Sequence, residues 1–379
     1  MVGGRPAGPG SEMEKPSVLD RILWIAGVLV VVGIVAVGLA GWPADAEARR
    51  PVKVMTRNLY LGASLDPAIR ATTTTELLAA TARIFSVVQR TDFPQRAKSL
   101  AREISDADPV LLGLQEAATW YSGPLDDPAP AGAVEYDFLA ILRQELAAIG
   151  VPYDVVRVQP EADIEAPAGA PYFKDLRLLQ NDAILVKAGI GDEVALRDAD
   201  SDNFAARFVA TTGLGRQIEV DRGWVSVDAT VNRRSFRFVN THLEAFHPGV
   251  RLQQAQELAA ASGAVGSAPG PVILVGDLNS GPDLPVPANR LAFAALRSSG
   301  LTDTWAVANP GDPGYTAGFE ELLDDPTAEG ALEHRVDHVM ASAGVGVVRS
   351  RIYGTDADNR TSSGLWPSDH AGVAATLTP

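Results

Sequence analysis

The sequence predicts an α/β fold built on mixed β-sheets, and three observations predict it. Short runs rich in β-branched residues alternate with segments of helical apolar spacing through the first part of the chain, the pattern of strand–helix–strand units. Farther on, such runs come in close pairs, as in hairpins. Finally, 379 residues with 46% hydrophobic content supply enough apolar surface for one large core.

Residues 52–58 (VKVMTRN) read as a short strand. Two helices follow at 75–90 and 93–105, where apolar residues recur at helical spacing. The apolar run 110–115 is the next strand, and 136–149 is a helix stopped by Gly150. Strands are expected at 182–187, 224–231, 236–241 and 272–277, each rich in β-branched residues. Residues 250–261 and 288–298 read as helices, and 336–340 and 373–377 as closing strands. Residues 122–134 and 160–175 are rich in Pro, Ala and Gly and read as surface loops. With no internal repeat or heptad array, 52–379 reads as one domain.

Ahead of it, residues 1–21 are polar and Gly/Pro-rich, and 22–42 form an uncharged apolar run. A bilayer-spanning helix needs about 20 residues, and the apolar core of an ordinary signal peptide roughly 7–15. The run therefore reads as a signal-peptide core or a retained membrane anchor. Residues 43–51 then serve as a cleavage region or linker, with A-x-A patterns at Ala44-Asp45-Ala46 and Ala46-Glu47-Ala48. Both readings place 52–379 outside the cytoplasm, secreted or anchored. The chain has no cysteine, which excludes disulfides, thiolate zinc sites and a cysteine nucleophile. Its net charge of −15 repels nucleic acid at long range and weighs against a nuclease, although a local basic groove or bound cations would offset it.

Polar residues recur where the apolar strands end: Asn58 after VKVMTR, Glu116 after VLLGLQ, and Thr241-His242-Leu243-Glu244 after FRFVN. Gly276-Asp277-Leu278-Asn279 follows PVILV, Asp337 lies in HRVDHVM, and Ser368-Asp369-His370 precedes AGVAATL. Any one of these is an ordinary turn former or cap. Together they bring carboxylates, imidazoles and amides to one edge of a sheet. A phosphodiester repels hydroxide, and Mg²⁺ bound by carboxylates and water neutralises its oxygens. Glu116 is the metal-ligand candidate. Asp277 suits activation of water and Asn279 a hydrogen bond to phosphate, the two facing one side of an extended strand. His370 suits stabilisation of the developing charge if a carboxylate partner holds it charged or oriented.

This ordered set resembles the endonuclease/exonuclease/phosphatase superfamily, most plainly in VILVGDLNS and WPSDHAGV, and the likeness spans 52 to 378. The resemblance implies two mixed β-sheets packed face to face with helices outside, a four-layer α/β sandwich. It implies a metal-dependent phosphoesterase using Mg²⁺, with Mn²⁺ or Ca²⁺ as substitutes. Asn58 would stand beside Glu116 at the metal, with Asp369 at or behind it. Asp337 would orient His370, and His242 and Asn181 would touch the substrate. Several relatives carry a second acidic residue soon after the first Asn. Here Leu59-Tyr60-Leu61-Gly62-Ala63 follows, and 59–93 is insertion-like, a candidate lid or pocket wall. His334 and His338 read as structural, and His247 as a helix start.

The implied partner is a phosphoester, either a lipid headgroup or nucleic acid. The membrane is a partner through 22–42 if that run is uncleaved, and no obligate protein partner is expected. Arg207, Arg216, Arg222, Arg233, Arg234 and Arg237 are scattered, without the interleaved aromatics of a strand-binding stripe. The reading from another class is a non-catalytic binding module on the same fold. Retention of Asp277, Asn279 and His370 argues against it.

Overall fold

Side-chain alternation along β1 (Val52–Asn58) sends Val52 and Val54 to one face and Met55 to the other, and both faces are buried. A strand buried on both sides needs layers on both sides. The computed structural model supplies them; it describes Met1, Gly3 and residues 50–379 other than Asp192 and 328–330. The apolar run 22–42 and its flanks up to residue 49 lie outside the described residues. Among the described residues, no helix is long and apolar enough to cross a membrane.

The first sheet holds β1, β2 (Leu111–Gln115), β3 (Thr119–Pro124), β4 (Ala133–Asp137), β5 (Tyr153–Ala168), β6 (Lys174–Lys187), β15 (Gly346–Tyr353) and β16 (Gly372–Thr378). Its order is β15-β16-β1-β2-β6-β3-β4, with β5 also paired to β6. The second holds β7 (Val194–Asn203), β10 (Gly223–Val231), β11 (Arg234–His242), β12 (Val272–Asp277), β13 (Thr302–Asp303) and β14 (Asp337–Ala341), in the order β13-β14-β12-β11-β10-β7. The β1–β2 and β11–β12 pairs are parallel and the others antiparallel, so both sheets are mixed. A separate hairpin joins β8 (Phe208–Thr211) to β9 (Gln217–Val220).

The sheets meet through Val54, Leu111 and Ile184 on one side and Val225, Phe238 and Val275 on the other. Gly113 faces this seam. A Cβ there would lie 2.5 Å from Asn240 Oδ1, so a side chain would push the sheets apart. Asn240 is the polar rivet of the seam, donating to the Leu114 carbonyl (2.9 Å) and the Ala183 carbonyl (3.2 Å).

The outer face of the first sheet packs Met55, Leu112 and Leu114 against α2 (Thr74–Arg90), α3 (Phe93–Ala107) and α4 (Phe138–Ala148). Each helix starts at a side-chain cap: Thr73 accepts from the Glu76 amide, Asp92 from Gln95 and Asp137 from Ala140. The outer face of the second sheet packs Val239, Leu274 and Met340 against Leu258 of α5 (Pro248–Ala259) and Leu296 of α6 (Leu291–Ser298). The fold is therefore the four-layer α/β sandwich. Short helices α1 (Asp66–Arg70) and α7 (Thr304–Ala308) complete it.

Three sequence expectations are corrected. Residues 160–175 are not a loop: β5 runs to Ala168 and β6 begins at Lys174. β5 pairs along one side only, with β6, and its register shifts between Pro160 and Asp163, so its prolines sit where a strand tolerates them. Likewise 122–134 is a loop only between β3 and β4, and the helix expected from Tyr136 starts at Phe138, because Asp137 ends β4 and caps α4.

Candidate active site

Strand register assembles the site. Across the second sheet, His242 of β11 lies beside Asp277 of β12, and Asp277 lies opposite Asp337 of β14. In the first sheet Asn58 lies beside Gln115, and Glu116 follows as the chain leaves β2. Asn58 spans the two sheets: its Nδ2 lies 3.1 Å from Asp277 Oδ2 and 3.3 Å from Glu116 Oε1. Its Oδ1 accepts from the Tyr60 amide. The Leu61 amide donates to the other Glu116 oxygen at 2.7 Å. Glu116 and Asn279 both have positive φ, 55° and 46°, a backbone conformation rare outside glycine and frequent at functional sites.

Asp277 and Asn279 come together differently from the alternation expected of a strand. β12 ends at Asp277, and the chain turns so that the Asn279 amide donates to Asp277 Oδ1 at 2.8 Å. The Asn279 side chain bonds the Leu243 carbonyl at 2.9 Å and lies 3.1 Å from His242 Nε2. Gly276 is required here, because a Cβ would lie 2.0 Å from the Thr241 carbonyl oxygen and its φ is +152°.

Two carboxylates side by side on neighbouring strands repel, and His370 answers that charge. Its Nδ1 lies 2.8 Å from Asp337 Oδ2 and 3.8 Å from Asp277 Oδ2. Burial disfavours the imidazolium, but Asp337, Asp369 and Asp277 outweigh it and hold the His370 pKa well above its ordinary value. With Nδ1–H committed to Asp337, Nε2–H is the donor left for a ligand. Asp277 is raised by burial and by Asp337, against His370 and the Asn279 amide, to about 6. Glu116 and Asp369 are both raised by burial, and Asp369 further raises Glu116. This crowd of buried carboxylates with one imidazolium is a donor set suited to a hard divalent cation. Among the described residues, Asp277, Asp337 and His370 also bring one ligand atom each within 4.8 Å of one another, a grouping the His370–Asp337 hydrogen bond accounts for without an ion.

The loop carrying Ser368, Asp369 and His370 is fastened from four directions. Trp366 is buried and stacks on Phe319 with 4.6 Å between ring centroids. Ser368 Oγ donates to the Asn58 carbonyl at 2.9 Å. Arg57, paired with Glu103 at 3.0 Å, donates to the His370 carbonyl. Arg96, fully buried on α3, donates to the carbonyls of Leu59, Tyr60, Thr91 and Pro367. Arg57, Arg96 and Glu103 escaped the sequence reading because a charged residue on a helix or strand looks solvated until its distant partners are known.

His242 is held by a second buried group. Arg222 Nη1 lies 2.9 Å from His242 Nδ1 and 3.0 Å from Glu161 Oε2, and Gln180 also donates to Glu161. Arginine only donates, so His242 Nδ1 accepts and Nε2 carries the proton. Burial and Arg222 hold its pKa well below the ordinary value, so His242 is a neutral donor facing Asp277 Oδ2 at 3.5 Å. Glu161, Asp182 and His242 could geometrically chelate a metal, but the Arg222 cation already lies against two of them.

Asp182 is fully buried with neither oxygen hydrogen-bonded, and burial together with Glu161 raises its pKa well above the ordinary carboxyl value. The folded chain therefore favours protonated Asp182. That contribution is complete below the ordinary carboxyl pKa and is lost as pH climbs toward the folded value. Asp182→Asn should stabilise the protein by about 1–3 kcal/mol at pH 8. The gain should shrink at pH 4–5, as read by urea denaturation at the two pH values. An equal change at both would show that Asp182 is charged throughout.

Asn181 donates to the Ala117 carbonyl at 3.0 Å and so braces the turn carrying Glu116. His338 contacts the Ser280 carbonyl at 2.9 Å, its pKa lowered by burial and Arg335 to about 4. His247 caps α5. Of the scattered arginines, Arg207, Arg222 and Arg237 are paired with carboxylates.

A profile of the Endonuclease/Exonuclease/phosphatase family matches residues 88–370, most of the chain, and the chain belongs to that family. Members of the family are phosphoesterases. Among solved structures, the fold is similar to a mannosyl-6-phosphatase of Bacteroides thetaiotaomicron VPI-5482, at 18% identity over 86% of this chain and 99% of that one, TM-score 0.50. It is also similar to a family protein of Beutenbergia cavernae DSM 12333, at 20% identity over 87% and 72% of the two chains, TM-score 0.52. A further B. thetaiotaomicron family protein matches at 17% identity over 86% and 97%, TM-score 0.51. No curated protein matches the sequence.

Proposed function

We propose that the chain is a divalent-metal-dependent hydrolase of phosphoester bonds, with Mg²⁺ the expected ion, working outside the cytoplasm. The observation that carries the chemistry is the convergence of Glu116, Asn58, Asp277 and the His370–Asp337 pair on one edge of the two sheets. The location rests on the uncharged apolar run 22–42 alone.

Glu116, with Asn58 and Asp369 beside it, would hold the cation, which when bound supplies positive charge to the phosphate and leaving oxygens. Asp277 takes a proton from the attacking water. Its Oδ1 is fixed by the Asn279 amide, and a pKa raised to about 6 makes it a stronger base than an ordinary aspartate while still ionised near neutrality. His370, charged and oriented by Asp337, donates from Nε2 to a phosphate oxygen, and His242 donates from its own Nε2. The Asn279 side-chain Nδ2, which gives one hydrogen to the Leu243 carbonyl, supplies a further donor in the same place.

The test is a panel of DNA, RNA, phospholipid, bis-aryl phosphodiester and aryl phosphomonoester substrates, with Mg²⁺ and with chelator. Chelator-insensitive turnover, or none on any ester, would overturn the reading. Glu116→Gln keeps shape and removes charge. Activity should fall at low Mg²⁺ and recover in part at high Mg²⁺ or with Mn²⁺. An unchanged metal titration would remove Glu116 from the site.

A further inference from the structure

A cavity of about 480 Å³, within the size range of ligand pockets, has walls joined to the candidate active site through one intervening residue. Its walls come from three parts of the chain. The segment 59–93 contributes Leu65, Ile69, Leu77 and Ile84, and the sheet contributes Ile164 and Leu178. The β8–β9 hairpin contributes Leu214 and Ile218 and closes the cavity by seating its turn on α1. There the Gly213 amide donates to the Ile69 carbonyl at 3.2 Å, and a Cβ on Gly213 would lie 2.4 Å from the Ala71 carbonyl oxygen. Two residues tie the wall to the catalytic edge. Glu161 lines the cavity and pairs with Arg222, which holds His242. Trp120 lines it too and donates to the Leu61 carbonyl at 2.9 Å, the residue whose amide binds Glu116.

Two features define the occupant. Of the carboxylates on the lining, Glu161 is paired with Arg222, Asp163 with Arg177, and Glu219 and Asp221 with Arg207, which leaves Glu165 against Arg216 and no positive surplus to hold a second phosphate. Thr81, also on the lining, has a buried hydroxyl with no hydrogen-bond partner. We infer that this cavity receives an uncharged aliphatic portion of the phosphoester substrate carrying one hydrogen-bonding atom, and that the segment 59–93 and the hairpin exist to enclose it. The inference rests on the phosphoesterase reading and narrows its substrate to amphiphilic esters, against polyanionic strands.

The test uses the intact protein and a series of O-alkyl O-(4-nitrophenyl) phosphates from methyl to dodecyl. Each methylene buried is worth at most about a fourfold gain. We expect kcat/KM to rise at least tenfold between butyl and octyl and then level off. Ile218→Trp, which fills the cavity from the hairpin, should flatten the series and leave the methyl ester unchanged; Leu214→Glu should do the same by adding charge. A flat series with the unaltered protein, or faster cleavage of an oligonucleotide than of the octyl ester, would overturn the inference. Binding of the uncharged fluorophore N-phenyl-1-naphthylamine reads the pocket without catalysis. Enhanced fluorescence, displaced by dodecanol and lost in Ile218→Trp, supports the pocket, and no enhancement overturns it. A protein inert toward every ester that still binds the fluorophore would instead sink the phosphoesterase reading.

Discussion

Asp277→Asn should lower turnover at least ~10³-fold while the protein stays folded. The amide retains the shape of the side chain, and its oxygen still accepts from the Asn279 amide, but it cannot take a proton from water. The fold should hold, although the new amide gives up the hydrogen bond that Asp277 Oδ2 accepts from Asn58 Nδ2. Asp277 lies buried opposite Asp337 on the neighbouring strand, so removing its charge relieves a like-charge contact. Metal binding should survive as well, because Glu116 and Asp369 remain. The measurement is kcat on a bis-aryl phosphodiester, beside circular dichroism, a thermal melt and Mg²⁺ binding by calorimetry. Full activity in the folded variant would remove Asp277 as the base, and a melt shifted far downward would mean that the loss says nothing about chemistry.

Most of the site was legible because polar residues stand at the ends of apolar strands, and strands in stacked mixed sheets deliver their ends to a common edge. Asn58, Glu116, His242 and Asp277 stand where β1, β2, β11 and β12 close, Asp337 where β14 opens and His370 just before β16, and all six came from that rule. What it missed is informative. It placed Asp277 and Asn279 on one face by alternation, whereas β12 ends at Asp277 and a turn with positive φ at Asn279 brings them together. It took 160–175 for a loop from its Pro and Ala content and so passed over Glu161. Proline argues against a central strand but not against one paired along a single side, and which strands those are depends on topology, not composition.

Arg96 failed to register for a related reason. On α3 it shares the buried side with Ser99 and Glu103, so the packed face is partly polar and breaks the apolar period. Burial costs its charge enough to pull its pKa down to about 10, and its partners are carbonyls from three separate stretches. Only the closed fold brings them together.

His370→Ala and Asp337→Asn should each lower activity, and together they should do little more harm than His370→Ala alone. His370→Ala should cost about 10²–10⁴ in kcat, the range for a positioned acid or charge stabiliser. Asp337→Asn should cost less. The amide still presents an oxygen to His370 Nδ1–H but no longer supplies the charge that, with Asp369 and Asp277, keeps the imidazole protonated. Because Asp337 acts through His370, its loss has nothing further to remove once the imidazole is gone, and the double-mutant cycle should show strong non-additivity. The ¹⁵N chemical shifts of His370 read the same point without turnover: the imidazolium pattern at neutral pH in the unaltered protein should give way to a neutral ring in Asp337→Asn. If the two losses multiply, or if the ring keeps its charge, then Asp337 acts on the reaction by its own route and the pairing seen at 2.8 Å is structural.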